Sequence, residues 1–280
     1  MFYLPSSHII SWQVADALVE DLSSFTDYTA NLIPESNSLN AVIKTKQDMI
    51  VCGTNWVDSA FSLCNKDIRV SWKVKDGDSV KAGTVLCDIN GNARGILTAE
   101  RTALNFFQTL SATATSTSVY VKQVKGTKVK IMDTRKTIPL LRLAQKYAVT
   151  VGGGYNQRIG LYDGVLIKEN HIIACGGIDK ALEKAFSVTP ASIPIQIEVE
   201  TFSQFKQALA HGARLILLDN MSLEEIASCV EHNKGVAELE ASGNITLENI
   251  LEYAKTGVDG ISVGGLTKYI QAIDMSLTVT

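Results

Sequence analysis

The sequence predicts an α/β protein, an α+β domain followed by a parallel β/α domain. Three observations carry that expectation. The second half alternates short apolar runs with amphipathic segments, each of those runs ends in polar or charged residues, and the first hundred residues alternate like antiparallel strands.

The bounds are those of a globular protein. At 280 residues and 46% hydrophobic, the chain can bury the core of one large or two moderate domains. No apolar run approaches the roughly 18 residues of a membrane span. Met1–Ile10 lacks the basic and apolar regions of a secretory signal. The five cysteines, Cys52, Cys64, Cys87, Cys175 and Cys229, are odd in number and form no C-x-x-C pair. Reduced thiols and a cytoplasmic location are therefore expected, without disulfides or a zinc site. With a net charge of −3, a pI near 5.9 and no aromatic residues interleaved with its basic cluster, the chain is not expected to bind nucleic acid.

In chain order, Ala15–Leu22 has the spacing of a short helix. Asn40–Gly53 and Ile68–Gly95 read as antiparallel strands, with turns expected at Asp76-Gly77 and Asn90-Gly91. A helix is expected over Ala99–Leu110, with Thr98 as its cap and Glu100 in its first turn. The domain boundary is placed here, giving 1–107 and 108–272, with the tail 273–280 a candidate to return to the first domain. The turn at Lys81-Ala82-Gly83 has a faint look of biotinyl or lipoyl carriers, but no lysine sits in a matching exposed hairpin.

Beyond the boundary, strands are expected at Val129–Met132, Gly164–Ile167, Ile195–Val199, Leu215–Leu218, Ala237–Leu239 and Gly260–Val263. Helical spacing fills the intervals at Pro139–Ala148, Ile178–Phe186, Phe202–Ala210, Leu223–Val230 and Leu247–Ala254. This is the pattern of a parallel sheet with crossover helices, and six strands suit an incomplete or open barrel.

Each strand delivers polar groups at its C-terminal end, where the loops of such folds converge on a ligand. In order these are Asp133 with Arg135 and Lys136, Lys168 with Asn170, Glu198 and Glu200, Asp219 with Asn220, Glu240 with Ser242, and Ser262 with Gly264. From Lys122 to Arg158 there are nine Lys or Arg and one acid, Asp133, which marks a local anion site in an acidic chain. The last two loops, Ala241–Asn244 and Ser262–Leu266, are rich in glycine and suit a phosphate monoester, because small residues let backbone N–H groups approach an anion. Arg158 follows Gly152-Gly153-Gly154, a stretch able to wrap around a ligand, and its planar fork suits a carboxylate or phosphate. Lys168 reads either as an anion ligand or as a Schiff-base lysine. Glu198, Glu200 and Asp219 suit Mg²⁺, sugar hydroxyls or a developing cation. Of four histidines only His171 lies near a strand end, where packing or capping competes with chemistry.

These residues carry a resemblance. Asp133–Thr137, Lys146–Val149 with Gly152–Gly154, Arg158–Leu161, Asp163–His171, Leu218–Asn220, Glu240–Gly243 and Ile261–Gly264 resemble the quinolinate phosphoribosyltransferases, also called carboxylating nicotinate-nucleotide pyrophosphorylases. Glu100–Phe106 matches as well, and Glu20-Asp21 with Leu32–Pro34 fits the family's opening, so the likeness covers nearly the whole chain. It implies an N-terminal α+β sandwich domain followed by an incomplete, about six-stranded parallel β/α barrel. The implied reaction joins quinolinate to phosphoribosyl pyrophosphate with Mg²⁺, giving nicotinate mononucleotide, pyrophosphate and CO₂ in de novo NAD synthesis.

Carried over by position, Arg101, Arg135, Lys136, Arg158 and Lys168 would hold the dicarboxylate and phosphates. Glu198 and Asp219 would meet the ribose and the metal, and Ser242, Gly243 and Gly264 the 5′-phosphate. Thr134, Gln157, Asn244, Ser262 and Val263 complete the expected substrate-binding set, and Lys136, Lys168, Glu198 and Asp219 are the expected catalytic residues. The resemblance also implies a homodimer in which Arg101 enters the neighbouring subunit's site. Two departures stand out. Tyr155 and Gln157 occupy positions where the family usually shows histidines, and Asn244 replaces a glycine. A related nucleoside-transferring enzyme of the molybdenum-operon type, a Schiff-base lyase using Lys168, and a non-catalytic carrier or scaffold are the alternatives.

Overall fold

The computed structural model describes residues 4–23 and 26–280, and Met1–Tyr3, Ser24 and Phe25 lie outside the described residues. The elements are α1 (Ser7–Leu22), β1 (Ser38–Thr45), β2 (Met49–Ile50), α2 (Thr54–Cys64), β3 (Arg69–Trp72), β4 (Ser79–Val80), β5 (Val85–Asn92) and α3 (Ala93–Gln123). Then come β6 (Lys130–Met132), α4 (Arg142–Val151), β7 (Val165–Ile167), α5 (Glu169–Cys175), α6 (Ile178–Val188), β8 (Ile195–Val199), α7 (Phe202–Ala210) and β9 (Leu215–Asp219). The chain ends with α8 (Leu223–Asn233), β10 (Glu238–Ser242), α9 (Ile250–Lys255), β11 (Gly260–Ser262), α10 (Gly265–Lys268) and β12 (Met275–Val279). They form two compact units, one of Met1–Ser118, Thr137–Gly153 and Lys268–Thr280, the other of Val119–Lys136 and Gly154–Thr267.

The first unit is an α+β sandwich. Its sheet has the order β12-β1-β5-β3 with every pair antiparallel, and β12 pairs with β1 from Ala41↔Val279 to Thr45↔Met275. Apolar residues of the sheet (Ile43, Leu86, Ile89) share a core with Val14 and Leu18 of α1, Trp56 and Phe61 of α2, Phe107 and Leu110 of α3, and Tyr147 of α4. Full burial of each such side chain contributes about 1.5–3 kcal/mol, which makes this packing the main source of the unit's stability.

Three helices of this unit depart from the sequence reading, each for a physical reason. Helix α1 starts at Ser7 rather than Ala15, because Ser6 caps it by accepting from the Ile9 N–H at 3.4 Å, and Ile10, Val14 and Leu18 then line its buried face. Helix α2 was not expected. Its start is capped from a distance by Asp76, whose carboxylate accepts the N–H groups of Gly53 and Thr54 at 3.0 and 3.2 Å. Helix α3 runs 31 residues instead of the twelve from Ala99 to Leu110. Asn92 Oδ1, not Thr98, accepts at its start, from the Gly95 N–H at 3.0 Å, while Thr98 Oγ1 donates to Asp27 at 2.8 Å. Asn90-Gly91 is likewise no hairpin turn but lies inside β5. There Gly91 has φ +153°, and a Cβ would stand 2.8 Å from the Ile68 Cα, so the glycine permits a close backbone approach.

The second unit is a six-stranded parallel sheet in the order β6-β11-β10-β9-β8-β7. The first strand in sequence pairs with the last, which curls the sheet into an open barrel whose seam lies between β6 and β7. The residues after Gly154 occupy the β6 side of that seam. Tyr155 bridges in parallel to Met132, its N–H donates to the Ile131 carbonyl at 2.8 Å, and its carbonyl accepts from the Asp133 N–H at 3.1 Å.

Candidate active site

Because all six barrel strands run parallel, their C-terminal ends share one rim. Asp133–Lys136, Lys168, Glu198, Asp219, Ser242 and Ser262–Gly264 stand on that rim or on the loop directly after it. Glu200 lies beyond the last residue of β8 and is exposed, so strand alternation does not carry it to the side of Glu198.

Lys168 Nζ donates to Glu198 Oε2 at 2.8 Å across neighbouring strands β7 and β8. Lysine is half exposed and glutamate nearly buried, so the pair is a charged edge rather than a core bridge. Asp219 is held at both oxygens, by Ser242 Oγ and by Asn220 Nδ2 at 2.8 Å. His171 Nδ1 accepts from the Lys168 N–H at 3.0 Å, which makes it a cap for α5.

The glycine-rich loops are built by backbone geometry. Gly243 has φ +97°, and a Cβ there would sit 2.2 Å from Asn220 Oδ1, so no other residue fits. Asn244 takes φ +51°, the left-handed conformation that asparagine tolerates. A Cβ on Gly264 would lie 3.3 Å from Lys136 Cδ and 3.8 Å from Thr134 Oγ1, which places the last loop directly against the Lys136 side chain. Thr134 Oγ1 accepts from the Lys136 N–H at 3.1 Å and Thr267 Oγ1 donates to the Lys136 carbonyl at 2.8 Å, fixing the base of that lysine.

Arg158 stands at the seam, where its Nη1 donates to the Gly164 carbonyl at 3.3 Å. Burial first, and then the neighbouring Arg135 charge, pull Arg158 below the usual arginine range. Arg135 Nε is itself buried with no hydrogen-bond partner. An unsatisfied buried donor on a charged group costs free energy unless an acceptor arrives, and two guanidinium charges near enough to repel each other suit a compact anion with more than one charge.

Gln157, expected to touch substrate, makes its hydrogen bonds within the protein. It joins a polar network inside the barrel with Asp133, Asn156, Gln196, Glu240 and Ser262, of which Asp133, Gln196, Glu240 and Ser262 are buried. Sequence reading had flagged Glu240 only as a strand end and passed over Gln196, whose polar side chain inside an apolar β8 was the available signal. A cavity of about 370 Å³ reaches toward the opposite mouth, lined by Val165, Leu215 and Glu238 at the first residues of their strands and by Gln157, Arg158 and Glu240. Arg101 lies on α3 in the first unit and is exposed. Gly152–Gly154, read as a ligand wrap, begins as packing: a Cβ on Gly152 would stand 2.4 Å from the Ala114 carbonyl oxygen.

Comparison with known proteins decides the family. Residues 27–111 match the N-terminal domain of quinolinate phosphoribosyl transferase, and residues 113–278 match its C-terminal domain. The chain belongs to the quinolinate phosphoribosyltransferase family. It is 39% identical over 262 residues to the probable carboxylating nicotinate-nucleotide pyrophosphorylase of Bacillus subtilis, covering 94% of this chain and 90% of that one. The Mycobacterium leprae enzyme of the same name is 39% identical over 269 residues, covering 93% and 94%. Among solved structures, the nicotinate-nucleotide pyrophosphorylase of Francisella tularensis superposes with a TM-score of 0.95 at 44% identity, covering 99% of this chain and 98% of that one. That of Ehrlichia chaffeensis gives 0.93 at 38% identity, with 99% and 100% covered. This chain carries the basic Arg135-Lys136 pair, Arg158 and Lys168, with glutamine at 157.

Among the described residues no helix is long and apolar enough to cross a membrane, and all five cysteines are free. No group of three or more His, Cys, Asp or Glu among the described residues forms a metal cage. Glu198 and Asp219 on adjacent strands offer two carboxylates, a donor set that suits Mg²⁺ when substrate phosphates supply further oxygens.

Proposed function

We propose that this enzyme transfers the phosphoribosyl group of phosphoribosyl pyrophosphate to quinolinate and decarboxylates the product, giving nicotinate mononucleotide, pyrophosphate and CO₂ for NAD synthesis. The observation that carries this reading is the buried Arg135 Nε without an acceptor, on a guanidinium near enough to Arg158 for the two charges to repel. A pyridine dicarboxylate supplies two anionic groups to two forks. Lys136, seated against Gly264, faces the glycine-rich loops suited to the 5′-phosphate, and Ser242, Gly243, Asn244, Ser262 and Val263 line the same rim.

The ring nitrogen attacks C1′ of the ribose, the C1′–O bond to pyrophosphate breaks, and pyrophosphate leaves with the electron pair. Loss of CO₂ then leaves a pair on the ring carbon beside the new ring cation, and that carbon takes a proton from solvent. No enzyme base is required, and the protein contributes position and fixed charge. Glu198 and Asp219 would stabilise an oxocarbenium-like sugar, and Lys168 and Lys136 would counter carboxylate and phosphate charge. Glu198 and Asp219 would hold Mg²⁺ together with substrate phosphate oxygens, and the bound ion would supply positive charge to balance the leaving group. We further propose a cytoplasmic homodimer in which Arg101 completes the partner subunit's site. The free cysteines fit a reducing compartment.

Incubation with quinolinate, phosphoribosyl pyrophosphate and Mg²⁺ should yield nicotinate mononucleotide and CO₂ in equal amounts. Absence of product, or product with nicotinate as acceptor instead, would overturn the proposal.

A further inference from the structure

We infer that Gln157 is a positioning residue and not a substrate contact, and that it sets Arg158 through the buried carboxylate of Glu240. The argument is an inventory of protons and lone pairs. A glutamine amide has two N–H donors and one carbonyl acceptor. Gln157 Nε2 donates to Glu240 Oε2 and to Gln196 Oε1, each at 2.8 Å, and its Oε1 accepts from the Arg158 N–H at 2.6 Å. Both N–H donors are thus directed inward, and the carbonyl holds the backbone of the very residue that carries the guanidinium. The amide cannot be turned over, because Glu240 only accepts and the Arg158 N–H only donates.

Glu240 is the hub. It is 5% exposed, and its two oxygens accept from three donors: the Gln157 and Gln196 amides on Oε2 and the Ser262 hydroxyl on Oε1. From the other side Asp133, fully buried at the end of β6, accepts the Gln157 N–H at 2.9 Å and the Asn156 amide at 2.6 Å. Residues 156–158 are therefore clamped between β6 on one side and the barrel interior on the other. A planar two-point contact tolerates little misplacement, so the clamp governs how well Arg158 meets a carboxylate. A histidine at 157 could carry charge to the substrate, whereas the glutamine here works through hydrogen bonds to its own chain.

This inference rests on quinolinate being the substrate, and the experiment separates the two. Steady-state kinetics are measured for wild type, Gln157→Ala, Glu240→Ala, the double variant, Glu240→Gln and Gln196→Ala. Wild type without activity on quinolinate would defeat the functional reading itself. With an active wild type, Gln157→Ala and Glu240→Ala should each raise the quinolinate KM about tenfold and leave the phosphoribosyl pyrophosphate KM within about threefold. The double variant should be no worse than the worse single one, because both changes break one chain of contacts. Glu240→Gln should restore the quinolinate KM, since its amide carbonyl can accept from both glutamines and its NH₂ can donate to Ser262 Oγ.

Multiplying effects, or a Glu240→Ala variant with wild-type quinolinate KM beside a damaged Gln157→Ala, would make Gln157 a direct contact and overturn the inference. So would equal loss for both substrates in every variant. Should Glu240→Ala fail to fold, Gln196→Ala leaves no buried charge unpaired. Its quinolinate KM must rise, and must not multiply with Gln157→Ala, for the inference to stand.

Discussion

A guanidinium and an ammonium carry the same charge but not the same information. Arg158→Lys keeps the cation at the seam and loses the planar fork, so quinolinate affinity should fall about tenfold or more while phosphoribosyl pyrophosphate affinity changes less. Equal losses for both ligands, measured by isothermal titration, would mean that Arg158 is no dedicated carboxylate clamp. Lys168→Ala removes a point charge already aimed across the rim at Glu198, and should cost about 2–4 kcal/mol of transition-state stabilisation in kcat/KM. The cysteines give a residue-scale test independent of activity. Burial pushes the thiols of Cys87 and Cys229 up to about 12 and that of Cys64 to about 11, Cys52 is fully buried and pushed up as well, and Cys175 alone is exposed. A thiol reacts as its thiolate, so iodoacetamide at pH 8 should label the native protein once, at Cys175, as read by mass spectrometry. Two or more rapid adducts would contradict the packing around the other four.

At the scale of elements, the barrel strands were legible because buried parallel strands must be apolar and their C-terminal ends must face the ligand. Leu215–Asp219 shows why: four apolar residues followed by an aspartate can be little else. What stayed hidden depends on partners far along the chain. The cap of α2 comes from Asp76, twenty-two residues beyond Thr54, and no local window contains it. Gln157 could be read from the sequence only as an uncharged replacement, since its hydrogen-bond partners Gln196 and Glu240 lie 39 and 83 positions away. The packing role of Gly152 was hidden for the same reason. Gly152 closes α4, and its missing side chain makes room for the backbone of α3 at Ala114 and for Thr117. Gly152→Ala should therefore destabilise by about 2 kcal/mol or more, lowering the melting temperature by roughly 4–8 °C, with the substrate KM values little changed at 25 °C. An unshifted melt would show that the two helices separate at little cost.

At the scale of the whole molecule, the proposal is that Arg101, a residue of the sandwich unit, serves a barrel rim. Arg101 is exposed on α3, and the proposed rim is that of a second copy of the chain related by a two-fold axis, with two equivalent sites. Subunit mixing tests this without a structure of the assembly. Arg101→Ala and Lys168→Ala should each be nearly inactive alone. In a mixed dimer, one site gathers both substitutions and the other gathers neither. Random exchange makes about half of the dimers mixed, each with one intact site in two, so activity should recover to roughly a quarter of wild type. If Arg101 instead served the barrel of its own chain, every site in every dimer would carry one defect, and mixing would restore nothing. Recovery must also require exchange: if the two variants are cross-linked as homodimers before mixing, activity should stay at the level of the single variants. A quarter recovered with exchange and none without it would assign Arg101 to the partner's site.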